Sequence, residues 1–282
     1  MAPSPLAETL RRTGPPRTAS LIVTVWGDAV APRGGSLWLG SLQAILDRFG
    51  CTPGQVRTAM SRLTEEGWLT RNRVGRLSYY RLGPRGEASF AAAAARIYAT
   101  RTPDWDGTFR LLLSPDPAME EALAAQGFGA LPGLRIGLHG TPATLPAGVP
   151  LLLATPRSAA EAREVAFRAW PLAALAPLHA RFRDAFAPLR DAAIPPEEAL
   201  PLRLLLVHEW RRVALRDPGL PAGLLPADWP GEEARALAAA LYRRLTPAAE
   251  AWLDGEGRNE EGMLPPSTAA RFVVPERVTD FA

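Results

Sequence analysis

Lysine is absent. All 32 positive side chains are arginine, set against 29 acidic groups, so the chain carries a formal charge of +3. Without an ammonium group there is no Walker A phosphate loop, kinase-type lysine, Schiff-base enzyme or Ser-x-x-Lys hydrolase. A single cysteine, Cys51, excludes an internal disulfide and a multi-thiolate zinc site, and it fits a reducing compartment. Histidine is scarce too. His139, His179 and His208 are too scattered to form an evident nucleophile–base–acid triad. His208-Glu209 begins like a zinc-protease motif, but Arg212 stands where the second ligand would be. No Gly-x-Gly-x-x-Gly follows a strand-like run. No catalytic residue, metal ligand or cofactor site is therefore assigned.

Long clean hydrophobic runs are also missing. Residues 136–156 lack charge over a membrane-spanning length, but Pro142, Pro146, Pro150 and Pro156 interrupt them, which reads as loop plus buried strand. The apolar run Leu21 to Trp26 is too short for an export signal, and Asp28 precedes the would-be cut at Ala29-Val30-Ala31. The chain is expected to be cytoplasmic, with no membrane partner. At 47% hydrophobic and 22% charged residues, the composition is that of an ordinary globular protein.

What charge there is lies unevenly. Residues 1–90 hold 12 arginines against 6 acids, and residues 91–282 hold 20 against 23. A basic N-terminal third is the asymmetry expected of a module that meets a polyanion.

The motifs fall on that third. Met1 to Pro16 is proline-rich without an apolar period and reads as a loose arm. Ser36 is positioned to cap a helix placing Trp38, Leu42, Ile45, Leu46 and Phe49 on one face, ended by Gly50. Thr52-Pro53-Gly54-Gln55 is a capping box with proline at the first helical position. The helix it opens has a thin apolar stripe of Val56, Ala59, Met60 and Leu63, with Gln55, Arg57, Thr58, Ser61, Arg62 and Glu65 opposite. That polar face suits a major groove, where arginine pairs with guanine edges. Trp68 to Arg73 and Arg76 to Leu82 then form a hairpin through Val74-Gly75, with Arg71, Arg73 and Arg76 at its tip. Helix, helix, basic hairpin is the order of a winged helix-turn-helix.

Farther on, Gly86 to Arg101 reads as a connecting helix stopped by Thr102-Pro103. Thr108 to Leu113, Leu134 to Leu138 and Leu151 to Thr155 read as strands. Pro117 to Gln126 and Ser158 to Trp170 read as helices, the latter with a serine cap. This β-α-β-β-α order points to a ferredoxin-like α+β layer. Beyond Pro177, prolines mark the joints between helical stretches Leu178 to Leu189, Glu197 to Arg216 and Glu232 to Leu253.

Several of these segments resemble the PaaX family of repressors of phenylacetic-acid degradation. They are Ser20 to Thr24, Trp26 to Ala29, Trp38 to Leu42, Val56 to Ala59, Arg62-Leu63, Glu66 to Leu69 and Tyr80 to Leu82, followed by Leu206 to Arg212, Leu215 to Pro218 and Leu224 to Pro230. The resemblance runs from about residue 18 to 255. It implies an α+β protein with an N-terminal winged helix (18–85) after an arm (1–17), a connecting helix (86–103), a middle ferredoxin-like domain (104–176) and a helical C-terminal domain (177–282). It makes Ser20 to Ala29 the first helix, where the periodicity of Leu21 to Val25 alone reads as a strand. The implied function is a repressor that an aryl-CoA thioester, phenylacetyl-CoA in the founding members, releases from its double-stranded operator DNA; the hypothesis built on it is a homodimer, and the absence of an evident acid, base or nucleophile makes it non-enzymatic.

On that reading Gln55, Arg57, Thr58, Ser61 and Arg62 face bases, while Arg71, Arg73 and Arg76 hold backbone or minor groove. A CoA effector needs cations for its phosphates and an apolar slot for its aryl group. His208, Trp210, Arg211, Arg212 and Arg216, in the family-like block, are the effector candidates, with Arg181, Arg183 and Arg203 as further cations. A different acyl-CoA or aromatic effector is the alternative, and a CoA-thioester-processing enzyme a third.

Overall fold

The computed structural model describes residues 3–100, 105–113, 116–138, 149–268 and 271–272. The chain is mixed α+β with antiparallel sheets. It divides into two compact units, each discontinuous in sequence. The first comprises residues 1–100, 181–214 and 233–282, the second residues 101–180 and 215–232.

The first unit opens with a helix where the sequence suggests a loose arm. In α1 (Pro5–Thr13), Ser4 caps the first turn and Pro5 occupies its start, as helix entry favours. Leu6 and Thr9 are buried, and the Leu6 amide donates to Glu198 of α9 (Pro196–Ala214) at 2.9 Å. Half of the inward face is threonine, which an apolar count does not register. The run Leu21 to Val25 is likewise helical, in α2 (Thr18–Val25). Its β-branched residues favour a strand locally. Packing on α9 and on α4 (Pro53–Glu65) buries Leu21, Ile22, Thr24 and Val25 and overrides that preference. A wide turn over Trp26–Val30 then buries Asp28.

Ser36 does not cap a helix. Ser36–Trp38 is strand β1, paired antiparallel with β3 (Leu77–Leu82), and the Ser36 hydroxyl donates to Glu260. The helix begins two residues later than a Ser36 cap implies, as α3 (Leu39–Asp47), and buries Leu42, Ile45 and Leu46. Gly50 follows in the left-handed region at φ +73°. β2 (Leu69–Val74) completes a sheet of order β1-β3-β2, and the hairpin turn is Gly75-Arg76, one residue later than expected. Gly75 has φ +59°, a conformation that a tight two-residue hairpin turn needs and glycine adopts without steric penalty.

Helix α5 (Pro84–Ile97) packs on α9, and α10 (Gly231–Glu256) brings its later turns into the same unit. α9 buries every residue from Glu198 to His208, so this helix forms the centre of the unit's core. Proline does not mark every joint: Pro177 lies inside α8 (Leu172–Phe186), Pro201 inside α9 and Pro247 inside α10. Pro177 sits early in its helix and deprives only the Ala173 carbonyl of a partner. Thr102 and Pro103 lie outside the described residues.

In the second unit β4 (Phe109–Leu113), β5 (Gly129–Leu131), β6 (Leu134–Gly137) and β7 (Leu151–Ala154) form an antiparallel sheet of order β5-β6-β4-β7. The short β5 is an addition to the expected strands. Order and direction match a ferredoxin-like layer, but the helices do not lie together. α6 (Glu120–Ala125) covers Leu112, Phe128 and Leu151, whereas α7 (Ala159–Ala169), capped by Ser158, covers Phe109 and Ile136 on the opposite face. In chain order α7 follows the fourth strand, not the third.

Candidate nucleic-acid interface

The capping box forms as the sequence predicts. Thr52 accepts from the Gln55 amide, and the Thr52 amide donates back to Gln55 Oε1 at 2.8 Å. This fixes the start of α4 and occupies one side-chain atom of Gln55. Val56, Ala59, Met60 and Leu63 are buried, so Arg57, Thr58, Ser61 and Arg62 are turned to solvent.

These exposed residues are not equivalent. Thr58 donates to the Gly54 carbonyl, Ser61 to Glu65 at 2.9 Å, and Arg62 Nε to Glu66 at 2.7 Å. Arg57 has no carboxylate partner among the described residues. At 100° per residue, Arg57 and Arg62 stand about 140° apart, on opposite flanks with Thr58 and Ser61 between them. The Arg62–Glu66 pair is exposed on both sides, and such pairs are weakly held in water, so Arg62 can exchange its partner for a base edge or phosphate.

Beside α4 stands the hairpin, exposed from Thr70 to Leu77. Strand alternation puts Arg71 and Arg73 on one face, with Arg71 Nη2 donating to Ser78 Oγ at 2.8 Å, and puts Val74 and Leu77 on the other. Arg76 sits in the turn. A cleft of about 290 Å³ separates hairpin from helix, and Trp38, Gln43, Pro53, Arg57, Arg76 and Leu77 line it. Two arginines from different elements thus face one cleft.

Carboxylate pairing is uneven across the N-terminal third, where Arg17, Arg48 and Arg85 also have no carboxylate partner among the described residues. In the N-terminal third, Arg11 and Arg12 bond Glu8, Arg33 bonds Glu250 and Asp254, and Arg81 bonds Glu260. Among the described residues Arg57, Arg71, Arg73 and Arg76 have no such partner. These four guanidinium groups are exposed on one helix and one hairpin, with no internal carboxylate to offset their charge among the described residues.

The second candidate group is dispersed. His208 and Trp210 are buried: His208 Nδ1 lies 3.1 Å from Thr24 Oγ1 in α2, and Trp210 Nε1 donates to the Ile97 carbonyl at 2.7 Å. Arg211 Nη2 donates to the Ser20 hydroxyl and carbonyl. These three pin α9 to α2 and α5, and His208 and Trp210 offer a ligand no surface in this conformation. Burial, with Arg211 and Arg212 nearby, lowers the His208 pKa to about 3, so the ring is neutral. Arg212 is exposed and bonded to Glu209, and Arg216 is exposed in the second unit. Of the further cations, Arg183 bonds Asp184 and Glu233, while Arg203 is buried. His139 lies outside the described residues.

A feature not read from the sequence is the ion network around Asp28. Its carboxylate is fully buried, 3.0 Å from Arg203 Nε, and accepts from Tyr98 at 2.8 Å and Tyr242 at 3.0 Å. Arg203 also reaches Glu250, which Arg33 shares. Burial opposes the Arg203 charge, but Asp28, Tyr242 and Glu250 outweigh it and raise its pKa. The available signal was a charged residue inside an apolar stretch: Asp28 after Trp26, Arg203 among leucines. In the second unit His179 Nε2 lies 2.9 Å from Asp217, both buried. Among the described residues no three His, Cys, Asp or Glu side chains are grouped to hold a metal, and no helix is long and apolar enough to cross a membrane. An apolar cavity of about 380 Å³ opens between the sheet and α7 in that unit, lined by Phe109, Leu111, Leu134, Ile136 and Val165.

A family model described as PaaX-like protein matches residues 17–86, and one described as PaaX-like protein C-terminal domain matches residues 170–255. The transcriptional repressor PaaX of Escherichia coli (strain K12) is 38% identical over 275 residues, covering 87% of this chain and 86% of its own. Among solved structures, the uncharacterized protein Rv0674 from Mycobacterium tuberculosis is similar in fold, with a TM-score of 0.56 and 24% identity, over 82% of this chain and 97% of its own. The chain belongs to the family of PaaX-like proteins.

Proposed function

We propose that this chain is a DNA-binding transcriptional repressor of genes for phenylacetic acid catabolism, acting in the cytoplasm as a homodimer without enzymatic activity. The observation that carries the DNA-binding reading is the set of exposed, unpaired arginines on α4 and the hairpin. The extent of similarity to a protein named as a transcriptional repressor supports the regulatory role. Residues 18–85 serve as a winged helix, with α4 in the major groove and the hairpin as wing. Thr58, Ser61 and Arg62, with Gln55 and Arg57, meet bases, and Arg71, Arg73 and Arg76 meet the backbone or minor groove. A homodimer matches a twofold operator, one half-site to each winged helix. The segments 86–103, 104–176 and 177–282 connect, and answer the effector.

The effector in this reading is phenylacetyl-CoA or a related acyl-CoA. Release requires that it bind the DNA-incompetent arrangement more tightly than the DNA-bound one. Its apolar end needs a slot of a few hundred Å³, and the cavity against α7 has that size and lining. Arg212 and Arg216 are exposed cations of the family-like block.

Gel retardation of the protein's own upstream region tests both halves. The expected result is a retarded complex that Arg62→Ala weakens while thioester binding persists, and that phenylacetyl-CoA, but not phenylacetate, dissolves. Absence of retardation overturns the DNA reading. Unchanged retardation at saturating thioester overturns the effector, and measurable thioester turnover would favour an enzyme.

A further inference from the structure

We infer that the tip of the β2–β3 hairpin enters the minor groove beside the α4 contacts and selects A·T-rich sequence there. In this arrangement Arg76 reaches into the groove, and Val74 and Leu77 pack on its deoxyribose wall. The inference rests on the DNA-binding reading and narrows what the wing does.

The first observation is an apolar pair where solvent-exposed turns carry polar residues. Val74 and Leu77 are 49% and 45% exposed. They are direct cross-strand partners flanking Gly75-Arg76, so their side chains form one patch on one face of the ribbon. Leu77 also lines the cleft towards α4, but Val74 does not, and contact with phosphates alone would need only the cations and gives no reason for Val74.

Reach comes next. β1 pairs with β3 only through Tyr79, Tyr80 and Arg81, so the hairpin beyond Tyr79 projects without a third strand. Three to four residues at ~3.3 Å each give a projection of roughly 10–13 Å, against a minor groove about 7.5 Å deep. The groove is only about 6 Å wide, so the turn and its flanking side chains enter and the ribbon does not.

Charge decides the occupant. Arg71 and Arg73 lie on the face opposite the apolar pair, and Arg76 is at the apex. None of the three has a carboxylate partner among the described residues. A second copy of the same tip, set against this one across a twofold axis, would bring like charges together. A groove walled by phosphates and floored by acceptor atoms suits this pattern, and narrow A·T-rich grooves concentrate the negative potential that draws arginine. Apolar side chains at such sites pack on sugars or wedge against base steps.

The test uses the full-length protein on a footprinted operator in which base pairs flanking the α4 contacts are made A·T, G·C or inosine·cytosine in turn. Inosine·cytosine presents a G·C-like major groove but lacks the guanine amino group in the minor groove. The expected result is that A·T and inosine·cytosine bind alike, while G·C weakens binding by roughly tenfold per pair. Arg76→Ala and the double variant Val74→Ser/Leu77→Ser should erase that difference and keep discrimination at the α4 positions. These side chains are exposed, so thermal unfolding of the variants should match that of the wild type. Equal weakening by inosine·cytosine and G·C would place the readout in the major groove, and no weakening by either would leave only backbone contact. Each overturns the inference. So does conversion of a dimer to monomers by the double variant, which would make the patch a subunit contact. Failure of the wild type to retard any fragment would remove the DNA-binding reading itself.

Discussion

At the scale of single residues, the buried polar groups are where structure adds most to sequence. Asp28 lies in a segment whose local pattern suits either helix or strand, and nothing in its spacing indicates Arg203 as a partner 175 positions away. Only the packing of α9 on α2 brings them to 3.0 Å. Taking one partner from such a pair strands a buried charge, typically at about 3–5 kcal/mol, so the network fixes how α9 sits on the N-terminal segment. His208 belongs to the same interface and yields a pH prediction. Its folded pKa of about 3 lies below the ordinary value of 6.5, so between these two values the unfolded chain binds a proton that the folded chain does not. Stability from this group is therefore complete above about pH 6.5 and is lost as pH falls towards 3, with a slope of up to ~1.4 kcal/mol per pH unit. Urea midpoints measured from pH 7 to pH 4 should show the decline, and His208→Gln should flatten it. A variant that declines as steeply as the wild type would assign the effect to other groups.

At the scale of elements, legibility follows how local the cause is. The Thr52–Gln55 box, the apolar stripe of α4 and the serine cap of α7 are written in adjacent residues, and each forms as read. Periodicity alone misreads α2 because its buried sides face two partners distant in sequence, which removes the polar face that makes a helix recognisable. β1 resembles the start of α3 because its strand partner lies more than 40 residues away. α1 has no visible apolar period because half of its buried face is threonine. The box gives the prediction at this scale. Thr52→Ala should lower stability by about 1 kcal/mol, measurable as a shift in the urea midpoint, and fray the first turn that carries Gln55 and Arg57. No shift in midpoint would mean that Pro53 and the core packing of Val56 set the helix start without the cap.

At the scale of the whole molecule, two units emerge, each closed by segments from distant parts of the chain, which a left-to-right reading divides differently. The interface candidates on α4 and the hairpin are legible because exposure and charge there are properties of the local pattern. The burial of His208 and Trp210 is less legible, because a histidine and a tryptophan look polar or amphipathic in sequence while the fold buries both. The N-terminal excess includes Arg57, Arg71, Arg73 and Arg76, which have no carboxylate partner among the described residues. The central claim is that these arginines replace counterions on duplex DNA. The most direct test is the affinity of the full-length protein for its operator fragment measured across salt concentration. If a dimer neutralises six phosphates, log affinity should fall against log salt with a slope of about −5. Arg73→Ala should make the slope shallower by roughly one for each phosphate that the variant leaves unneutralised. A slope near zero would contradict the account.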